Sequence, residues 1–177
     1  MAEARRRLWL PSLAAGAAAV AIAAQISFPV PGSPVPSTLQ GPAVLLVGGL
    51  MGALAGAGSL ALYLVLGAFG LPVFAGGTAG LDRLLGPTAG YLFAFPVGAA
   101  LVGRLGLRRH WVRCLGATVA GMAAIQLSGL LWLESNSAAG WTGLWTGLRP
   151  LLLQDLFKVA LVTPLVWLFH GTLRPAT

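Results

Sequence analysis

The sequence predicts an all-α integral membrane protein with six transmembrane helices and both termini cytoplasmic. Three observations carry that expectation. Of the 177 residues, 57% are hydrophobic and 8% charged, against about 25% charged in ordinary soluble domains. Apolar runs of about 20 residues, the length that crosses a hydrocarbon core of ~30 Å, consume nearly the whole chain. The arginines stand in short groups between those runs, as the basic loops of one membrane face require.

A single membrane domain over residues 1–177 follows, with no room for a separate catalytic or nucleic-acid domain. The net charge of +7 belongs to membrane topology, because the arginines do not line one basic face. Cys114 is the only cysteine, which excludes an internal disulfide and any multi-cysteine metal or redox site. It reads as a small interior residue.

MAEARRR and the apolar run after it share the pattern of signal peptides and first membrane helices. The apolar part, 8–28, is longer than a signal core, so it is taken as helix 1, near 11–28. Its alanines create overlapping small-xxx-small repeats that permit close helix approach. Four prolines between Pro29 and Pro36 then prevent a helix and favour extended backbone.

Residues 41–69 carry no charge over a length that is too great for one span and short for two. Counting arginines decides between them. Split in two, with helices near 11–28, 40–54, 57–70, 88–104, 112–133 and 150–169, the chain has eight arginines inside and two outside. Unsplit, the tally is five against five. The split is preferred, with the break expected at Gly56, Gly58 and Ser59.

Three outer loops follow, 29–39, 71–87 and 134–149. The second is glycine-rich and contains Asp82 and Arg83, which suits a segment folding back over a cavity. The third places Trp141 and Trp145 at the membrane interface or, alternatively, in a substrate wall. His110 and His170 are expected at the headgroup boundary. Neither has partners at metal-ligand spacing, so no metal is expected.

Asp155 and Lys158 stand inside the final apolar run. An ionisable group near a bilayer centre costs roughly 2.5–3.5 kcal/mol on insertion scales, so a retained pair suggests a use. At a spacing of three they share one helix face. With Pro150 in the first helical turn, Asp155 lies about 8 Å below the outer helix end. Two readings stand here, a structural salt bridge and a polar ligand site closed by the outer loops. Serine proteolysis through Ser59 lacks an internal histidine base, and retinal bound to Lys158 lacks the seven spans and acid spacing of that family.

The stretch GAFGLPVFAGGTAGLDRLLGPTAGYLFAF at 67–95 resembles the BioY family, the biotin-specific S components of energy-coupling-factor transporters. PVPSTLQ at 34–40, SLALYLVLGA at 59–68 and QDLFKVAL at 154–161 are similar to further family segments. The resemblance implies a six-helix subunit of the bacterial cytoplasmic membrane that captures biotin from outside. It also implies a membrane-embedded T component and two ABC-type ATPases as partners, with no cofactor of its own. The chain has no GxxxxGK[ST] phosphate cradle, so ATP use falls to those partners.

Among its residues, Asp155 is expected to accept from the ureido N–H groups of biotin, and Lys158 to donate to the ureido carbonyl or hold Asp155 charged. Phe74, Tyr91 and Phe95 are expected to line the apolar pocket, with Gln40 as a further polar contact. Arg83, or backbone N–H groups around Gly76, Gly77 and Thr78, are candidates for the valerate carboxylate. The Ala-rich face of helix 1 resembles a docking surface for the T component, with packing inside the bundle an equal alternative. GLMGALAG at 49–56 departs from the family in lacking a Pro-Arg pair, and Ala89 replaces a common glycine. Proton-coupled transport by a solitary carrier is the second functional expectation.

Overall fold

The computed structural model describes residues 2–30, 37–106, 110–136 and 140–173, with side chains at 9–30, 37–106, 110–136, 149 and 151–173. Its described residues form seven α-helices, a two-stranded ribbon and one 3-10 turn. The helices are α1 (Ala2–Ala24), α2 (Gln40–Met51), α3 (Ala53–Ala68), α4 (Leu81–Leu85), α5 (Ala89–Leu105), α6 (Trp111–Ser135) and α7 (Gly140–Phe169). β1 (Ser27–Phe28) and β2 (Ser37–Thr38) pair antiparallel, Ser27 opposite Thr38.

Helix 1 ends four residues before its expected limit of 28. Phe28 precedes Pro29, and the residue before a proline is driven out of the α region. The chain therefore enters the ribbon instead. Upstream, α1 runs through Pro11, forgoing the hydrogen bond its missing N–H cannot make.

The long uncharged run is two antiparallel helices. Gly56 faces Gly48, and the Gln40 side chain reaches Tyr63, pairings that only a hairpin allows. The break lies at Gly52, not at the expected Gly56–Ser59. Gly52 has φ of +82°, a left-handed conformation open to glycine at no steric cost. Gly56 serves another purpose, since a Cβ there would lie 2.9 Å from the Gly48 Cα. Small residues at such crossings let backbones meet. The hydroxyl of Ser59 is buried against α1 at Gly16 and donates to the Ala55 carbonyl, 2.9 Å.

A larger correction concerns the third outer loop. Most of 134–149 is helical, because α7 already begins at Gly140. Glycine and threonine are weak helix formers, which is why this segment reads as a loop in isolation. Pro150 consequently sits inside α7, and Asp155 lies roughly 22 Å along the axis from Gly140 at 1.5 Å per residue. The side chains of Trp141 and Trp145 lie outside the described residues, as do Arg108, Arg109 and Arg174.

α5 packs against α2, α3 and α6, while α7 packs against α6 and α2. From Leu151 onward the outward residues of α7 are apolar, with Leu153 71% and Phe157 72% exposed. Its inward residues include Asp155 and Thr163, both buried. An apolar exterior around polar interior groups suits a lipid surround. Trp111–Ser135 and Leu151–Phe169 are each long and apolar enough to cross a membrane.

Two side-chain rungs set the register of α6 against α7. Gln126 donates to Asp155, and the hydroxyls of Thr118 and Thr163 lie 2.8 Å apart. At the other end of α7, His170 is buried against Gly106. The turn after α7 explains this placement, because Gly171 and Leu173 donate backbone bonds to Gly49 and Leu50. His110 is exposed and Cys114 fully buried.

Candidate ligand site

A cavity of about 300 Å³ opens among the ribbon, the loop after α3 and helices α2, α5, α6 and α7. That is the lower end of the usual range for small-molecule sites. It is mostly apolar, with Phe74, Leu92, Phe95, Met122 and Ile125 in its wall.

Its strongest polar feature comes from α7. Leu151, Asp155 and Lys158 fall on one helical face at spacings of four and three, and all three line the cavity. Lys158 Nζ lies 3.1 Å from Asp155 Oδ1. The other carboxylate oxygen, Oδ2, accepts from Gln126 Nε2 on α6. A buried carboxylate needs partners of this kind, since an unpaired charge in an apolar bundle is heavily penalised.

Tyr91 enters from α5. Its ring lies against Gly129 of α6, where any side chain would collide with it. The Tyr91 hydroxyl is buried and has no hydrogen-bond partner among the described residues.

The loop after α3 closes part of the cavity. Phe74 is 2% exposed, its ring set over Gly67 and edge-on to Tyr63 at 5.4 Å. Gln25 at the end of α1 donates to the Phe74 carbonyl, 3.3 Å. A chain of polar groups reinforces this seat. Thr38 donates to Gln40 Oε1 at 3.1 Å, Gln40 Nε2 donates to the Tyr63 hydroxyl at 2.7 Å, and that hydroxyl donates to the Val73 carbonyl at 3.2 Å. Ribbon, α2, α3 and loop are thereby tied together.

Of the residues expected at a site, Asp155, Lys158, Tyr91, Phe74, Phe95, Gln40, Arg83, Gly76 and Thr78 all line this cavity. Gly77 does not. It belongs to the 3-10 turn Ala75–Gly77, where an added Cβ would come 3.8 Å from Gln25 Oε1. Gln40 lines the cavity with both ends of its amide already engaged, so holding the loop is its visible task.

Sequence reasoning missed Gln126, along with Ser27, Ser37 and Thr88 in the wall. A signal for Gln126 was present. It is an amide side chain midway along a largely apolar span, an anomaly of the same kind as that of Asp155.

The pattern of the BioY family matches residues 4–174. A probable biotin transporter BioY of Pyrococcus horikoshii is 38% identical over 143 residues, 81% of this chain and 84% of the relative. Biotin transporter BioY2 of Lactococcus lactis subsp. cremoris is 35% identical over 158 residues, 87% of this chain and 85% of the relative. The fold is similar to a crystal structure of the S-component for biotin from an ECF-type ABC transporter. That likeness has a TM-score of 0.80 and 26% identity, and covers 94% of this chain and 92% of the other. Sequence and architecture thus agree over almost the entire length, and the chain belongs to the BioY family.

Proposed function

We propose that this protein is the biotin-binding S component of an energy-coupling-factor transporter in a bacterial cytoplasmic membrane. Six spans carry it across the bilayer, α1, α2, α3, α5, α6 and α7, with both termini inside. Biotin enters from outside, and a T component with two ABC-type ATPases drives its delivery; the subunit itself uses no cofactor.

The observation that carries this reading is the Asp155, Lys158 and Gln126 cluster on the wall of a mostly apolar cavity. Biotin joins a ureido ring with two N–H donors and one carbonyl acceptor to an apolar bicycle and tail. Asp155 accepts from the ring, Lys158 donates to its carbonyl, and Phe74, Phe95 and Leu92 cover the apolar part. Arg83 takes the carboxylate.

Equilibrium binding to the purified protein tests this. Biotin is expected to bind saturably at one site, with unrelated vitamins failing to compete. Uptake by cells is expected to stop when the ATPase partners are removed. Uptake that persists without them and collapses with the proton gradient would establish the solitary carrier instead.

The loop seat yields a second prediction. In Gly67→Ala the new methyl group meets the Phe74 ring and lifts it. Overpacking of this kind typically costs 1–3 kcal/mol, so biotin affinity should fall on the order of tenfold. Helical content, read by circular dichroism, should not change. Unaltered affinity would mean that the loop closes without Phe74.

A further inference from the structure

Gln126 was not among the expected site residues, and its geometry assigns it more than a packing role. The carboxylate of Asp155 can only accept, so the end of the Gln126 amide that meets it must be the NH₂ group. Chemistry therefore fixes the orientation of this amide. Its carbonyl, Oε1, is turned away from Asp155, buried, and without a hydrogen-bond partner among the described residues. Gln126 also lines the cavity.

Both oxygens of Asp155 already have a donor, Lys158 at Oδ1 and Gln126 at Oδ2. The cluster thus holds one acceptor group with nothing donated to it. An unsatisfied buried carbonyl is unfavourable, and a ligand N–H is the natural partner in a cavity wall.

We infer that Gln126 is a specificity-determining residue that reads the second N–H of a cyclic urea. This rests on the biotin reading above. Asp155 accepts one ureido N–H through a remaining lone pair, Gln126 Oε1 accepts the other, and Lys158 donates to the carbonyl between them. The donor to Asp155 and the acceptor for the ligand are opposite ends of one amide. The position of Asp155 and the recognition of the second N–H are thereby coupled, and a ring lacking either N–H is rejected.

The test is a comparison of biotin with its two ureido N-methyl isomers, bound to the wild-type protein and to Gln126→Met, a variant of similar length with no amide. Biotin is expected to bind the variant about tenfold more weakly, as for loss of a buried hydrogen bond. One isomer, the one methylated at the nitrogen facing Gln126, should bind wild type poorly and lose little further in Gln126→Met. The other should show the same loss as biotin. Equal losses for biotin and both isomers would overturn the inference and leave Gln126 as a positioning residue for Asp155.

Should Gln126→Met fail to fold, the wild-type comparison still decides. Binding of both isomers as tight as that of biotin would refute the assignment. Failure of the wild type to bind biotin at all would sink the underlying reading, whereas intact binding by wild type and Gln126→Met alike would sink only this inference.

Discussion

Asp155→Ala is expected to weaken biotin binding by a factor of a hundred or more and to destabilise the fold. Removing the carboxylate leaves the Lys158 ammonium, now 3.1 Å from Oδ1, and the Gln126 NH₂ group without their acceptor. Truncating one partner of a buried hydrogen-bonded charge pair costs about 2–5 kcal/mol, and the upper part of that range follows from the stranded charge.

The double variant Asp155→Ala with Lys158→Ala separates the two effects. It should regain thermal stability relative to the single variant, because no unpaired charge remains, yet stay unable to hold biotin. Titration calorimetry and thermal midpoints in detergent measure both. A double variant that bound biotin like the wild type would remove the pair from the site, leaving it as an interhelical clamp with Gln126.

Gly103→Ala is expected to disrupt the bundle itself. A Cβ at this position would run into the backbone of Gly52 and Ala53 and lie 2.7 Å from the Gly48 carbonyl oxygen. Backbone cannot rotate aside as a side chain does. α5 must therefore retreat from the α2–α3 hairpin, at a cost of about 2 kcal/mol or more. Gly116→Ala is the control, since nothing lies within 4 Å of its added methyl group. Its thermal midpoint should match the wild type or rise slightly, as alanine is the better helix former. Equal behaviour of the two variants would show that the close contact of α5 with the hairpin is not needed.

Both predictions depend on facts of unequal visibility in the sequence. That residues 151–170 form an apolar segment with Asp155 and Lys158 on one face follows from spacing alone, and their ion pair is local, within one turn. Phe74, Thr78, Arg83, Tyr91 and Phe95 were legible as site candidates chiefly through resemblance to a family. Composition would have left them as ordinary residues of a glycine-rich loop and an apolar helix. Gln126 escaped because its role depends on α6 lying beside α7 in one register, which no local pattern encodes.

The helix boundaries divide in the same way. Pro29 ends the α region at Phe28 by a clash with its neighbour, a rule that reads directly from the chain. The break at Gly52, rather than at Gly56 or Gly58, is decided elsewhere. All three glycines permit a turn, and only the packing of Gly56 on Gly48 and of Gly103 on the hairpin selects among them.

By itself the sequence determined the apolar all-helical class, the division of the uncharged run and the charge pair inside an apolar segment. Each depends on hydrophobicity, charge or spacing along one segment. Tertiary structure alone decided where the hairpin turns, how far α7 extends, that His170 is buried and that Gln126 completes the polar cluster. These follow from which helices meet and in what register, and contacts between distant segments carry no signature in either segment alone.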